Sequence, residues 1–160
     1  LVFDGTMPRS VVDFGCNCGE WLEAASSFGC HDIIGVDGAN MLPHLRFDRS
    51  KFRVGDLSKP FDLKRRFDLA ITLEVAEHIP TEASDTFVDT LCRHADWILF
   101  SAAIVGQGGY AHINCQHPEF WREKFAARGY VEDRSLCPKF EALDIPSYYA
   151  RNTTMYRKAA

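Results

Sequence analysis

The sequence predicts an α/β fold in which a mostly parallel sheet is covered by helices on both faces. Short apolar runs typical of buried strands alternate along the chain with longer segments of helical periodicity. Several of these runs end in turns that contain glycine or an acidic residue. The chain has 160 residues, of which 46% are hydrophobic, enough to form one substantial core. We therefore expect a single domain over residues 1–160.

The first half of the chain contains four strand-like runs, at residues 11–14, 33–36, 52–54 and 67–73. A helix is predicted over 20–28, with one apolar face made of Trp21, Leu22, Ala25 and Phe28. A short segment at 41–45 precedes the third run.

The second half continues the alternation. A helix over 81–93 would start at Thr81 as its cap and bury Ala83, Phe87, Val88 and Leu91. A fifth strand follows at 97–100. The next helix, over 118–128, has a proline at its start and Gly129 just beyond its end, and its aromatic residues are expected in the core (Phe120, Trp121 and Phe125). The last two strands are predicted at 130–134 and 153–156.

The turn after the first strand carries the pattern D-x-G-x-x-x-G, formed by Asp13, Gly15 and Gly19. Asn17 occupies its middle position, and asparagine tolerates a positive φ better than most residues. A dinucleotide fingerprint starting at Gly15 would need glycines where Asn17 and Glu20 stand. The turn therefore favours a nucleoside-bearing cofactor other than NAD, although a plain strand-to-helix turn is the alternative.

Acidic residues follow three later strands. Asp37 ends the second strand, near the position about 20 residues after the glycine turn where an acid binds ribose hydroxyls. Asp56 follows the third strand, where its carboxylate and the N–H of Leu57 could meet a base. Glu74 follows the fourth strand. The carboxyl ends of parallel strands share one edge of the sheet, so these side chains are expected around one site.

These pieces together resemble the class I S-adenosylmethionine-dependent methyltransferases over nearly the whole chain. The matching stretches are residues 11–19 (VVDFGCNCG), 34–38 (IGVDG), 54–57 (VGDL), 67–80 (FDLAITLEVAEHIP) and 97–101 (WILFS). The resemblance implies a Rossmann-like sandwich with a mostly parallel seven-stranded sheet and an antiparallel last strand. It also implies S-adenosylmethionine as the cofactor.

The resemblance further implies where the cofactor lies. The glycine turn would shape the methionine end, Asp37 would hold the ribose, Asp56 and Leu57 the adenine, and Glu74 would lie beside the methionine moiety. The residues expected to bind the cofactor are Asp13, Gly15, Cys16, Asn17, Gly19, Asp37, Gly38, Asp56, Leu57 and Glu74. Asn17 replaces the family's middle glycine. Because ten residues precede Val11, the helix that covers the cofactor in this family is expected to be short or missing.

Methyl transfer requires an acceptor lone pair aligned behind the methyl carbon, and a hydroxyl acceptor also requires a base. His78, after the fourth strand, and His112, in a glycine-rich loop after the fifth, are the candidate catalytic residues. Both suit transfer to an oxygen atom of a small-molecule acceptor. Alternatively, His78 is a packed helix-start residue and the loop at 106–116 is plain surface. Residues 137–152 are predicted as a lid over the acceptor, or as aromatic packing against the sheet.

Charge and cysteine content narrow the class of protein. The net charge of −4 weighs against a protein that grips phosphate backbones, and no apolar run reaches the roughly 20 residues of a membrane span. None of the six cysteines forms a C-x-x-C pair, so we predict no metal site and free thiols in the cytoplasm. Two alternatives stay open: a nucleic-acid or protein methyltransferase, and a non-catalytic S-adenosylmethionine-binding module of a larger assembly.

Overall fold

The computed structural model describes residues 7–135 and 146–160, and these residues form one seven-stranded sheet with helices on both faces. The strands are β1 (Ser10–Phe14), β2 (Asp32–Asp37), β3 (Phe52–Val54), β4 (Leu69–Leu73), β5 (Trp97–Ser101), β6 (Tyr130–Asp133) and β7 (Thr154–Lys158). The α-helices are α1 (Glu20–Ser27), α2 (Ser84–His94), α3 (Pro118–Ala126) and α4 (Ser147–Asn152).

The strand order across the sheet is β3-β2-β1-β4-β5-β7-β6. Strands β1 to β5 pair in parallel, whereas β7 runs antiparallel to both of its neighbours. The predicted sheet, mostly parallel with an antiparallel last strand, is therefore confirmed. The chain builds outward from β1 to β3 and then crosses back to place β4 beside β1. Open α/β sheets bind ligands in the crevice at such a reversal, beyond the carboxyl ends of the strands.

The core lies in two layers, one on each face of the sheet. Every residue of β1 and of β4 is buried, as expected for central parallel strands covered on both sides. One layer packs α2 and α3 against the sheet, and its central residues include Phe87 and Phe125. The other layer contains Leu22 of α1 and Met155 of β7. Trp121 and Phe125 are buried and Phe120 is partly buried, so the prediction of an aromatic core on α3 is confirmed.

Helix α1 buries less than its sequence pattern predicts. Of the four residues expected on its apolar face, only Leu22 is fully buried, while Trp21 is 41% and Phe28 65% exposed. The helix ends at Ser27, so Phe28 lies beyond its last turn. Trp21 instead makes an edge contact with the ring of Tyr149, 5.9 Å between centroids.

The segment before α2 differs from the prediction at both of its ends. Phe67 forms only an isolated bridge with Ala95, and the regular strand β4 starts at Leu69. Residues 81–83 form a separate 3₁₀ turn, and α2 starts at Ser84. Thr81 is not a helix cap, because its hydroxyl donates to Asn114 Oδ1 at 2.8 Å.

Some expectations fall on parts of the chain outside the described residues. These are most of the proposed lid at 137–152, the thiol of Cys137, and the first six of the ten residues before Val11. The other five cysteines are free. Within the described ranges, no helix is long and apolar enough to cross a membrane.

Candidate active site

The turn after β1 is built around three residues with positive φ. Gly15 has φ 82°, Asn17 φ 48° and Gly19 φ 95°. The N–H groups of Gly15 and Cys16 both donate to the carbonyl of Val36 at the end of β2, which ties the two strand ends together. The expected tolerance of Asn17 for a positive φ is confirmed.

Space around the turn is as restrictive as its backbone conformation. A Cβ added at Gly15 would overlap the side chain of Val75, and one added at Gly19 would overlap the ring of Phe47. The thiol of Cys16 packs in the core with 2% exposure and contacts the Asn17 carbonyl at 3.6 Å. Burial raises the pKa of that thiol, with the carboxylates of Asp13 and Asp37 adding to the effect. The turn therefore requires glycine at both positions, for its backbone conformation and for its packing against Val75 and Phe47.

Asp37 lies at the end of β2 and contacts the glycine turn directly. Its Oδ2 accepts a hydrogen bond from Asn17 N–H at 2.7 Å, and its Oδ1 accepts one from Gly38 N–H at 2.6 Å. An ionised carboxylate has about four acceptor sites, so both oxygens retain capacity for ligand hydroxyls.

Asp13 is buried with 1% exposure, and its Oδ2 has no hydrogen-bond partner among the described residues. Burial raises the pKa of Asp13 well above its usual range, and the negative charges of Asp37 and Glu20 add to the shift. A buried carboxyl oxygen without a partner, directly before the glycine turn, suits a ligand that carries hydrogen-bond donors or positive charge.

Asp56 occupies the loop after β3, but its carboxylate is already engaged. Oδ1 accepts from the N–H and hydroxyl of Ser58, and Oδ2 pairs with Lys59 Nζ at 2.9 Å. The hydrogen bonds from Lys59 and then Ser58 lower the pKa of Asp56 to about 2. Leu57, by contrast, is buried with 8% exposure and packs against the core.

Glu74 follows β4 with φ 55°, an uncommon conformation for a residue with a side chain. Its N–H donates to the carbonyl of Ser101 at 3.1 Å, which holds the ends of β4 and β5 together. The carboxylate accepts from Gln107 Nε2 at 2.9 Å and Asn152 Nδ2 at 3.4 Å. Asn152 also donates to Gln107 Oε1 at 2.9 Å. This network joins β4, the loop after β5 and the end of α4.

Three residues with ionisable side chains meet beside this network. His112 Nε2 lies 3.9 Å from Glu77 Oε1, and the rings of His78 and His112 meet edge to face with their centroids 5.0 Å apart. The His78 ring contacts the Ala111 carbonyl through Nδ1 at 3.1 Å. The structure therefore brings together the two histidines predicted as catalytic, and adds an acid beside them.

Glu77 is fully buried, and neither of its carboxylate oxygens has a hydrogen-bond partner of standard geometry among the described residues. Burial raises the pKa of Glu77 to about 7; the Glu74 charge adds to this, while nearby peptide N–H groups of Glu77 and Ala103 oppose it. The carboxyl group therefore changes its charge near neutral pH, next to two imidazoles.

The loop that carries His112 is fastened to the turn that carries Glu77. The N–H groups of Ile113 and Asn114 both donate to the Glu77 carbonyl at 2.9 Å. The Asn114 side chain is buried; its Nδ2 donates to Ser84 Oγ at 3.1 Å, and its Oδ1 accepts from Thr81 and Gln116. These contacts fix His112 relative to the sheet.

Glu77 is a member of the site that the sequence does not predict, whereas Asn114 lies among the polar residues expected in the loop facing the acceptor and Asn152 ends the segment predicted as a lid. A signal for Glu77 was present, because an acidic residue directly before a histidine follows the fourth strand. The roles of Asn114 and Asn152 depend on contacts between distant loops, for which the sequence carries no local pattern.

Comparison with known proteins agrees with this geometry. A family model described as "Methyltransferase domain" matches residues 4–111. Magnesium protoporphyrin IX methyltransferase from Synechocystis PCC 6803, solved with bound S-adenosylhomocysteine, is 17% identical over 94% of this chain and 74% of that chain, with a TM-score of 0.71. A sugar N-methyltransferase from Streptoalloteichus sp. ATCC 53650 is 16% identical over 96% and 81%, with a TM-score of 0.75.

A third similar structure is an S-adenosylmethionine-dependent methyltransferase from Mesorhizobium loti, 15% identical over 93% of this chain and 90% of that chain, with a TM-score of 0.67. None of the curated proteins matches the chain significantly in sequence. The strand order and the glycine turn define the Rossmann-like fold of class I S-adenosylmethionine-dependent methyltransferases. The chain belongs to the methyltransferase-domain family, whose model spans more than half of its length.

Proposed function

We propose that this methyltransferase transfers the methyl group of S-adenosylmethionine to an oxygen atom of a small-molecule acceptor, with His78 and His112 assisting removal of the acceptor proton. The observation that carries the proposal is the meeting of two imidazoles beside buried Glu77, where β4 and β5 end. Imidazole suits proton transfer near neutral pH because its ordinary pKa lies close to it.

The residues at the ends of β1 and β2 fit the cofactor. Asp37 would hold the ribose hydroxyls with its remaining acceptor sites. The unpartnered Oδ2 of Asp13 suits the positively charged methionine end. When bound, the cofactor supplies a methyl group that is electrophilic because it is attached to a positively charged sulfur. For the adenine, buried Leu57 is available as an apolar wall, whereas Asp56 would first have to release Ser58 and Lys59.

A surface cleft lies next to the Glu74 network and shares Asn152 with it. Its lining combines the rings of Trp121 and Tyr156 with the polar side chains of Gln116 and Arg151. The similar structures that act on magnesium protoporphyrin IX and on a sugar also support a small-molecule acceptor.

The chemical step requires one base. A lone pair of the acceptor oxygen forms the new bond to the methyl carbon while the bond from carbon to sulfur breaks, and the hydroxyl proton passes to His112 Nε2. Ionised Glu77, 3.9 Å from that nitrogen, would stabilise the imidazolium that results.

We also propose that the protein resides in the cytoplasm. The free thiols of the described cysteines support this location.

Calorimetry with S-adenosylmethionine and its demethylated product, followed by turnover against a panel of hydroxyl-bearing acceptors, tests the proposal. His112→Ala is expected to reduce turnover by about 10²–10⁴-fold while cofactor affinity changes little. His31→Ala, which alters an exposed histidine elsewhere on the chain, is the matched control. Turnover of His112→Ala close to that of the control would contradict the role of His112.

A further inference from the structure

We propose that Glu77, His78 and His112 bind a divalent cation. Each side chain offers one ligand atom, and these atoms all lie within 4.8 Å of one another. Two imidazoles and one carboxylate form a three-ligand set that leaves coordination positions open for a substrate. The cysteine spacing in the sequence predicts no metal site, but none of the three ligands proposed here is a cysteine.

The environment of Glu77 is the first argument for a cation. The side chain has no exposed surface, and both of its oxygens lack a hydrogen-bond partner within the described ranges. Among the described residues, Glu77 has no lysine or arginine within 4.0 Å, and its one basic neighbour at that distance is His112. The nearest other acid, Glu74, carries the same charge and is already engaged by Gln107 and Asn152. A buried carboxylate needs a compensating charge, which a bound cation would supply.

The hydrogen bonding of His78 is the second argument. A carbonyl oxygen can only accept, so the contact of 3.1 Å to Ala111 places the proton on Nδ1 of His78. This leaves the lone pair of Nε2 free. Histidines that bind metals commonly donate their other ring N–H to a backbone carbonyl in this way, which fixes both the tautomer and the ring orientation.

The backbone around His112 is the third argument, because it holds the ligands in place before any ion binds. Ala111 has φ 55°, a strained conformation for an alanine, and it is the residue whose carbonyl contacts His78. A Cβ at Gly109 would overlap the ring of His112, so the loop accommodates this ring only with glycine at that position. The carbonyl of Glu77 accepts from the two peptides that follow His112.

The distances permit coordination after small rotations. Ligand atoms around a first-row metal ion, at about 2.0–2.2 Å from it, lie roughly 3 to 3.5 Å apart. Glu77 Oε1 and His112 Nε2 are 3.9 Å apart, and all three ligand atoms lie within 4.8 Å of one another, so small side-chain shifts that keep the Nδ1 contact of His78 would bring them to coordination distance. Two nitrogen ligands favour an ion from the series Mn²⁺ to Zn²⁺ over Mg²⁺ or Ca²⁺, which prefer oxygen ligands.

The role of the cation rests on the proposed function, although its binding does not. An acceptor hydroxyl bound at an open position would have a lower pKa, because the positive charge stabilises the alkoxide. Its proton would leave to solvent, the bond from oxygen to the methyl carbon would form, and the bond from that carbon to sulfur would break. When the cation is bound, this step would replace direct proton transfer to His112 Nε2, and the histidines would assist proton removal as metal ligands.

Titration of the chelator-treated full chain with Co²⁺, followed by calorimetry and visible absorption, tests the site without any methyl acceptor. We expect one ion per chain, and at least about a tenfold loss of affinity in Glu77→Gln and in His78→Ala. His78 is exposed, so its replacement should leave folding intact, which circular dichroism checks. His31→Ala and His44→Ala, which alter exposed histidines outside the cluster, should bind Co²⁺ like the unaltered protein.

Two results would overturn the proposal: no Co²⁺ binding by the unaltered protein, or equal binding in folded His78→Ala. A thiolate-to-cobalt charge-transfer band would also overturn it, since the ion would then be bound by cysteine. S-adenosylmethionine affinity and turnover, measured on the same samples, report separately on the proposed function. Stimulation of turnover by Mn²⁺ in the unaltered protein, lost in His78→Ala, would support the catalytic role of the cation.

Discussion

The peptide N–H of Asn17 donates a hydrogen bond of 2.7 Å to Oδ2 of Asp37, so one carboxylate orders the glycine turn from the neighbouring strand. The other oxygen of Asp37 accepts from Gly38 N–H. The acid proposed to bind the ribose is therefore also the acid that shapes the turn. Replacing it should affect both ends of the cofactor.

Asp37→Ala is expected to weaken S-adenosylmethionine binding by about 10–100-fold. Hydrogen bonds to a charged group contribute roughly 1.5–3 kcal/mol, and every 1.4 kcal/mol is tenfold in affinity. Calorimetry measures the loss. Asp32→Ala is the matched control, because Asp32 lies at the opposite end of the same strand in an exposed pair with Arg65. Equal affinities for the two variants would exclude Asp37 from the cofactor site.

Gly15→Ala should destabilise the protein more than Gly29→Ala. Both glycines have a positive φ, which costs alanine about 1–2 kcal/mol. Nothing lies within 4 Å of a Cβ at Gly29, whereas one at Gly15 overlaps Val75, a stiff β-branched residue. Overpacking adds about 1–3 kcal/mol. Urea denaturation measures the free energy of unfolding, and similar losses in both variants would show that steric overlap at Gly15 is unimportant.

Asn114→Ala should impair turnover without weakening cofactor binding. The side chain links Thr81, Ser84 and Gln116, and its loss would leave the buried hydroxyl of Ser84 without this partner, at a cost of about 1–3 kcal/mol. The loop carrying His112 would then be less fixed. Thr81→Val, which removes one of these hydrogen bonds at an exposed residue, should have a smaller effect on both unfolding and turnover. A normal turnover number for folded Asn114→Ala would contradict the proposed role of this loop.

Stability should fall in acid because of His94. Its Nδ1 contacts the Thr90 carbonyl at 2.6 Å, which requires N–H there, while its Nε2 accepts from the N–H of Leu63 at 2.9 Å. Protonation of Nε2 would place its N–H against the N–H of Leu63, so that two donors would face each other in a buried site. Burial lowers the pKa of His94 below its ordinary 6.5, so the unfolded chain binds the proton more readily. The stabilisation is thus present above pH 6.5 and is lost as the pH falls towards the folded pKa.

The measurement is the free energy of unfolding against pH for the unaltered protein and for His94→Gln. The raised pKa values of Asp13 and Glu77 act in the opposite direction, since they favour the folded state at lower pH. These terms are common to both proteins, so the difference between the two curves isolates His94. Parallel curves below pH 6.5 would contradict the assignment.

The strands of the sheet could be predicted because the pattern that specifies each of them lies within a few consecutive residues. Buried parallel strands are short continuous apolar runs, and the glycine turn is restrictive in both conformation and space. Asp13, Gly15 and Gly19 could therefore be recognised as one pattern. The edges of elements were less predictable: Thr81 matches a helix cap in sequence, yet its hydroxyl is engaged by Asn114 from a distant loop.

The residues expected to face the methyl acceptor could be predicted only in part. His78 and His112 could be predicted from their positions after adjacent strands, but Glu77 beside them could not. Its importance comes from complete burial, which depends on how the loop after β5 folds over it. Apolar spacing predicted burial for Trp21 and Phe28, although α1 covers the sheet mainly through Leu22.

Asn152, which contacts Glu74 and Gln107, belongs to a part of the chain that could change its acceptor specificity separately from cofactor binding. The family model ends at Ala111, one residue before His112, and the helix that carries Asn152 lies farther along the chain. The shared part of the chain contains the glycine turn and the acids at the strand ends, while much of the opposite wall is contributed by later residues. Changes in that later part could alter which molecule is methylated and leave the methyl donor unchanged. New specificities could thus evolve without rebuilding the fold.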